Sequence, residues 1–243
     1  MCRLLGVVFR RKFPTETLSE LRTLSKTGEV PDEKRRGHRD GWGIATFQAG
    51  KPYYVARSVA PAFSDKRYDD AVAAVNKVPF PSIVIAHVRA ASSGRVTIEN
   101  THPFIVNGLV FAHNGTVNGL PPDHRGRQKG QTDSELIALM IADRFEEKGS
   151  LVSAVKSVVK EEIDERAFTA AILLASDGKT LVGYRDYTSS DRAAYYDLKM
   201  ARCAESVALF QEIAVGCNGY LTEIEKREIV SVSLDLEITQ SRL

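Results

Sequence analysis

Four short segments carry residue types that chemistry needs: Cys2, then Ala86-His87-Val88-Arg89, then His113-Asn114-Gly115, then Thr132-Asp133-Ser134-Glu135. Cys2 follows the initiator Met1, and a small second residue generally permits that methionine to be removed. The new terminus would carry a thiol and an α-amine on one residue. That composite group is a candidate catalyst. Taken alone, a cysteine at a strand start is most often a small buried hydrophobe.

The other segments also have two readings each. Asn114-Gly115 beside an apolar strand is a hairpin-turn signal, because both residues tolerate positive φ. Alternatively, the Asn amide and the Gly N–H project together at a strand end and donate to a developing oxyanion, with Gly required because a side chain would obstruct the approach. Thr132 to Glu135 fits a capping box, in which Thr132 caps a helix and Glu135 reaches back. That motif does not use Asp133, whose carboxylate at a helix N-terminus is suited to hold a substrate ammonium. Arg89 follows the apolar run Ile83-Val84-Ile85-Ala86, as either a rim ion pair or a bidentate carboxylate clamp.

Periodicity supplies the elements that must position these groups. Cys2 to Arg10 reads as a buried strand, and Leu18, Leu21 and Leu24 mark a helix ending near Gly28. Trp42 to Phe47 and Tyr53 to Val55 form a predicted hairpin, a short helix covers Asp69 to Val75, and Ser82 to His87 is a strand. The strand Ile105 to Ala112 is expected to end at His113-Asn114-Gly115, followed by a mobile loop over 118–131. Helices are predicted from Thr132 and over Leu151 to Ile163. Beyond them, strands are expected at Phe168 to Ala175, Thr180 to Tyr184, Ala204 to Leu209 and Ile229 to Leu236.

The 243 residues include 33 basic and 31 acidic side chains, a balance that does not indicate binding driven by phosphate attraction. No apolar run approaches the ~20 residues that span a bilayer, and the start lacks the features of a secretory signal, so a cytoplasmic protein is expected. Cys2, Cys203 and Cys217 are too few and scattered for a disulfide framework. The five histidines show no zinc-ligand spacing, so no metal or other cofactor is expected.

In order along the chain, MCRLLG, HRDGWGIA (38–45), AHVRAASSG (86–94), ENTHPF (99–104), FAHNGTV (111–117) and QTDSE (131–135) together resemble the class II glutamine amidotransferase domain. That family belongs to the N-terminal-nucleophile hydrolases, and the short form seen here is most similar to the stand-alone YafJ-like branch. The resemblance covers roughly the first 140 residues. It implies an α+β fold, a four-layer αββα sandwich, as one domain over residues 1–243. It makes Cys2 the nucleophile toward the γ-carboxamide of glutamine or a γ-glutamyl compound, with its own α-amine as base. Asn114 and Gly115 match the oxyanion hole, Arg89 the α-carboxylate clamp, and Asp133 the partner of the α-ammonium.

Two departures stand out. Ala90 and Ser93 replace the Trp and His common in synthase-type members, which leaves space for a larger leaving group. Arg36 and Arg39 do not align unambiguously with the family's Arg-Gly pair and take no assigned role. His102 and His113 are expected to orient loops or satisfy buried backbone groups. The alternatives to a stand-alone hydrolase are a non-catalytic regulatory or binding subunit, and a glutaminase subunit delivering ammonia to a separate synthase.

Overall fold

The computed structural model describes residues 2–31, 36–212 and 220–243. Along the chain run β1 (Arg3–Phe9), α1 (Glu16–Thr27), β2 (Trp42–Gln48), β3 (Lys51–Ser58), α2 (Arg67–Val75), β4 (Ser82–Val88), β5 (Phe104–Val106) and β6 (Leu109–Val117). There follow α3 (Asp133–Lys148), α4 (Leu151–Val158) with a π-helical turn to Ile163, β7 (Phe168–Ser176), β8 (Thr180–Tyr187), β9 (Lys199–Arg202), β10 (Ser206–Phe210), β11 (Tyr220–Glu223), β12 (Glu228–Ser233) and β13 (Ile238–Arg242).

The strands form two antiparallel sheets, ordered β11-β9-β10-β1-β4-β2-β3 and β13-β12-β8-β7-β6-β5. Side chains on a strand alternate between faces, so each central strand contributes to two apolar layers. Leu4 and Val8 of β1, Ile83 and Ile85 of β4, and Ala170, Ile172 and Leu174 of β7 fill the layer between the sheets. Leu5, Val7 and Phe9 face the other way, onto Leu18 and Leu21 of α1 and Ala71 and Val75 of α2. On the second sheet, Phe111, Leu173 and Val182 pack under Ile137 and Ile141 of α3 and Val155 of α4. Helix, sheet, sheet and helix therefore stack as the αββα sandwich, an α+β fold.

Most predicted elements fall within a few residues of those observed. The exception around 105–115 is instructive, because the expected single strand is the hairpin β5–β6. The turn is Asn107-Gly108, with φ of 44° and 85°. Asn114-Gly115, the second Asn-Gly pair, lies inside β6 and faces Ile172 and Ala171 of β7. The turn reading of Asn114-Gly115 is thus corrected: the first pair breaks the apolar run, and β7 pairing carries β6 through the second.

The C-terminal part returns to the first sheet. Strand β10 pairs with β1 on the side opposite β4, with Phe210 facing Leu5, so residues 211 and 212 lie beside the start of the chain. The strands β9, β11 and β13 were not foreseen, being short and in part exposed.

Close approach of the sheets is visible at Gly6, where a Cβ would sit 3.0 Å from both Leu181 methyls and 3.2 Å from Leu174 Cδ1. Gly6→Val is therefore expected to lower stability by about 1–3 kcal/mol through overpacking of the central layer. Urea unfolding of the two proteins measures the difference.

Candidate active site

Cys2 immediately precedes β1 and is a free, buried thiol. With β10 on one side and β4 on the other, β1 is an interior strand, so Cys2 rests on rigid structure. Its backbone nitrogen donates to Asn114 Oδ1 at 2.8 Å, and its Sγ lies 3.9 Å from the Ala90 carbonyl oxygen. Cys203 is engaged elsewhere, and Cys217 and Met1 lie outside the described residues.

Asn114 reaches Cys2 from the opposite sheet. It is fully buried, and its Nδ2 donates to Gln211 Oε1 at 3.1 Å. Gly115 has φ of 148°, and a Cβ there would stand 1.8 Å from the Ala170 carbonyl oxygen of β7. Strand packing alone thus already demands the glycine. The ladder is irregular between Gly115 and Val117.

Arg89, just past β4, is 2% exposed. Its Nη1 donates to the Arg95 carbonyl at 3.1 Å and its Nη2 to that of Ser93 at 2.9 Å. Asp40 braces the same loop by accepting the Ala91 N–H at 2.7 Å. Burial lowers the Arg89 guanidinium from its ordinary value, opposed by the nearby Cys2 and Asp40. Two of the five guanidinium N–H groups thus organise the loop, and the other three take no partner among the described residues.

Asp133 opens α3, where a carboxylate is favoured by the helix N-terminus. Its Oδ2 accepts the Val117 N–H at 2.7 Å and lies 4.0 Å from His113 Nδ1. Thr132 caps α3 through the Glu135 N–H, but Glu135 does not reach back as the capping box predicts. Its carboxylate instead takes the Lys129 and Gly130 N–H groups at 2.9 and 2.7 Å, tying the preceding loop to the helix.

The expected site residues converge. Cys2, Arg89, Gly115 and Asp133 line one cleft together with Ala90 to Ser93, His102 and His113, while Asn114 lies behind it on Cys2. The free volume is about 20 Å3. That is room for about one water between the walls. Arg39 lies away from the cleft, donating to the Lys26 carbonyl at the end of α1.

The histidines divide. Burial pushes His113 below its ordinary value. Its Nε2 is 3.3 Å from the Ala170 carbonyl and its Nδ1 2.9 Å from Ser134 Oγ. A carbonyl only accepts, so Nε2 carries the proton and Nδ1 accepts from the hydroxyl. His113 thereby satisfies a buried backbone group, as expected. His102 does not: it stacks on His87 with centroids 4.3 Å apart and packs edge-on against Phe104. No hydrogen-bond partner to the His102 ring is found among the described residues, and the His87 ring has at most a weak contact with the His113 backbone. Burial holds both well below the usual histidine range, hence neutral. No group of three or more metal-ligating side chains placed to hold an ion occurs among the described residues.

Asp40, Ser134, His87 and Gln211 were not singled out from the sequence. Asp40 and His87 sit in motifs already quoted, HRDGWGIA and AHVRAASSG. Gln211 carries no local signal, and only strand pairing brings it to Cys2.

The chain matches the class-II glutamine amidotransferases over residues 1–224 and belongs to that family. It is 30% identical over 197 residues to YafJ of Escherichia coli K12, covering 76% of this chain and 72% of that protein. It is 29% identical over 166 residues to the glutamine–fructose-6-phosphate aminotransferase of Xylella fastidiosa Temecula1, covering 66% of this chain and 25% of the relative. Two further curated relatives are spanned over 63% and 51% of their lengths. Among solved structures, it is similar to the glutamine phosphoribosylpyrophosphate amidotransferase of B. subtilis, with a TM-score of 0.65 and 17% identity over 99% of this chain and 49% of that one. A class-II domain protein of Silicibacter pomeroyi superposes with a TM-score of 0.60 at 18% identity, covering 100% of this chain and 99% of that one. At these identities the likeness is one of fold, that of the N-terminal-nucleophile hydrolases.

The buried histidines make stability depend on pH. Their folded-state values are depressed, so between those values and ~6.5 the unfolded chain binds more protons than the folded one. Stability is therefore full above ~6.5 and is lost as pH falls through that value. His102→Phe, which keeps an aromatic surface, is expected to flatten this loss by up to ~1.4 kcal/mol per pH unit. Denaturant unfolding at pH 5, 6 and 7 checks it.

Proposed function

We propose that this protein hydrolyses the γ-carboxamide of glutamine, or the corresponding amide of a larger γ-glutamyl compound, through a thioester on Cys2 after removal of Met1. The observation that supports this best is that the nitrogen of Cys2, and not only its thiol, is held in the site, 2.8 Å from Asn114 Oδ1.

Once Met1 is gone, that nitrogen is an amine. It takes the thiol proton, and sulfur attacks the carboxamide carbon. The carbonyl π electrons move to oxygen, where Asn114 Nδ2–H and the Gly115 N–H are the donors for the resulting oxyanion. Collapse of this intermediate expels the nitrogen, which leaves as ammonia with the proton returned by the amine. Water, deprotonated by the same amine, then attacks the thioester and releases the free carboxylate and the thiol.

Recognition of the amino-acid end falls to the opposite charges on the cleft. Arg89 offers the N–H groups not used on the loop to the α-carboxylate, and Asp133 offers the α-ammonium the oxygen not used on Val117. Holding both ends fixes where the amide meets sulfur. The same loop residues, Ala90 to Ser93, are small, which suits a leaving group larger than ammonia. Ammonia itself would be free to diffuse or to reach a separate acceptor protein.

The test is ammonia release from glutamine and amine release from γ-glutamyl peptides, with intact-mass confirmation that Met1 is absent. Cys2→Ala is expected to abolish both activities, and an amide without the α-ammonium is expected to react poorly. Undiminished turnover by Cys2→Ala would refute the proposal.

A further inference from the structure

Cys2 ends a chain of buried amides. Its nitrogen donates to Asn114 Oδ1 at 2.8 Å, Asn114 Nδ2 donates to Gln211 Oε1 at 3.1 Å, and Gln211 Nε2 donates to the Asp197 backbone carbonyl at 2.8 Å. Asn114 and Gln211 are both 0% exposed, so no bulk water can stand in for either partner. The Gln211 N–H is itself fixed to the Leu4 carbonyl, two residues beyond Cys2.

A primary amide is nearly symmetrical in shape but opposite in chemistry at its two ends. Either Asn114 or Gln211 could rotate by half a turn without a change of volume. The backbone carbonyl of Asp197 cannot, and it only accepts. Gln211 must therefore turn its NH2 toward Asp197 and its oxygen toward Asn114. Asn114 must then turn its NH2 toward Gln211 and its oxygen toward Cys2. Reversal anywhere would set two acceptors or two donors face to face in a site without water, costing the full desolvation of the groups involved.

We infer that Gln211 is a positioning residue that sets the direction of the Asn114 amide, and through it the protonation geometry of the Cys2 amine. This rests on the function proposed above. With Asn114 Oδ1 toward the amine, the amine donates one hydrogen to it and keeps its lone pair for the thiol proton. With Asn114 reversed, Nδ2–H would bind that lone pair and weaken the base. The second hydrogen on Nδ2 would also be turned away from the oxyanion. One glutamine from the far end of the chain thus governs both the base and a donor of the hole, while touching neither substrate nor sulfur.

The test compares processed wild type, Gln211→Met, which has similar length and no polarity, and Gln211→Glu, whose carboxyl is kept neutral by burial, so that its C=O still accepts from Asn114 and its O–H donates to the Asp197 carbonyl. Glutamine hydrolysis and the rate of Cys2 alkylation by iodoacetamide are both measured. For Gln211→Met, kcat is expected to fall about tenfold or more, short of the ~10²- to 10³-fold cost of deleting an oxyanion donor, with KM within about twofold. Alkylation at neutral pH should slow in parallel, and Gln211→Glu should recover most of both rates. Wild-type kcat and alkylation in Gln211→Met would overturn the inference. So would equal impairment of the two variants at matched thermal stability, since that marks a mere packing defect.

A measurement on the unaltered protein guards against misfolding of the variants. The side-chain amide hydrogens of Asn114 and Gln211 should be among the slowest to exchange with deuterated water, and rapid exchange would overturn the relay. Full activity in Gln211→Met alongside an inactive Cys2→Ala rejects the relay alone, whereas activity surviving Cys2→Ala rejects the proposed function.

Discussion

The hydrogen bond from the Cys2 nitrogen to Asn114 Oδ1 crosses from one sheet to the other, and much of the molecule is arranged so that it can form. Cys2 belongs to the first sheet by way of β1, and Asn114 to the second by way of β6. Both are buried, so the bond is made without competition from water, and leaving either partner unpaired would cost ~1–3 kcal/mol. The sheets must sit at one separation and one register for the two atoms to be 2.8 Å apart. A small residue sets that separation, since Gly6 leaves room for Leu181 and Leu174 of the opposite sheet, while Gly115 leaves room for the Ala170 carbonyl of the neighbouring strand and so holds Asn114 in place within its own sheet.

Around this bond the polar groups are disposed to hold loops rather than to stand idle. Arg89 gathers the carbonyls of Ser93 and Arg95, Asp40 takes the Ala91 N–H, and Glu135 takes the Lys129 and Gly130 N–H groups. The cleft is consequently bounded by loops tied to a sheet or a helix at each side. Its narrowness follows from the same ties. The guanidinium that is proposed to greet the substrate carboxylate is also the one that holds the segment after Arg89. A carboxylate on the remaining N–H groups of the same guanidinium would couple binding to the shape of the loop.

How much of this was legible in the sequence depends on the range of the forces involved. The buried strand at Arg3–Phe9 and the helices α1 and α3 follow from local hydrophobic period and were read correctly. The residues Cys2, Arg89, Gly115 and Asp133 were named from short motifs, and the cleft gathers them. What failed had two-sided local signals. Asn107-Gly108 and Asn114-Gly115 are the same dipeptide, and only pairing of β6 with β7 decides which one turns. Glu135 fits a capping box in sequence, yet the backbone N–H groups of Lys129 and Gly130 compete for its carboxylate and win. Gln211 lies 97 residues from Asn114, in a stretch with no motif, so its place beside Cys2 emerges only once β10 pairs with β1.

The central claim is that the nitrogen of Cys2 works as a free amine. The most direct measurement compares fully processed protein with a form in which Met1 is retained, following both γ-glutamyl thioester on Cys2 by intact-mass spectrometry and ammonia release from glutamine. Thioester and ammonia from the processed form alone are expected. Equal turnover by the Met1-retaining form would contradict the claim, since its Cys2 nitrogen is an amide whose lone pair is delocalised into the carbonyl and does not take a proton.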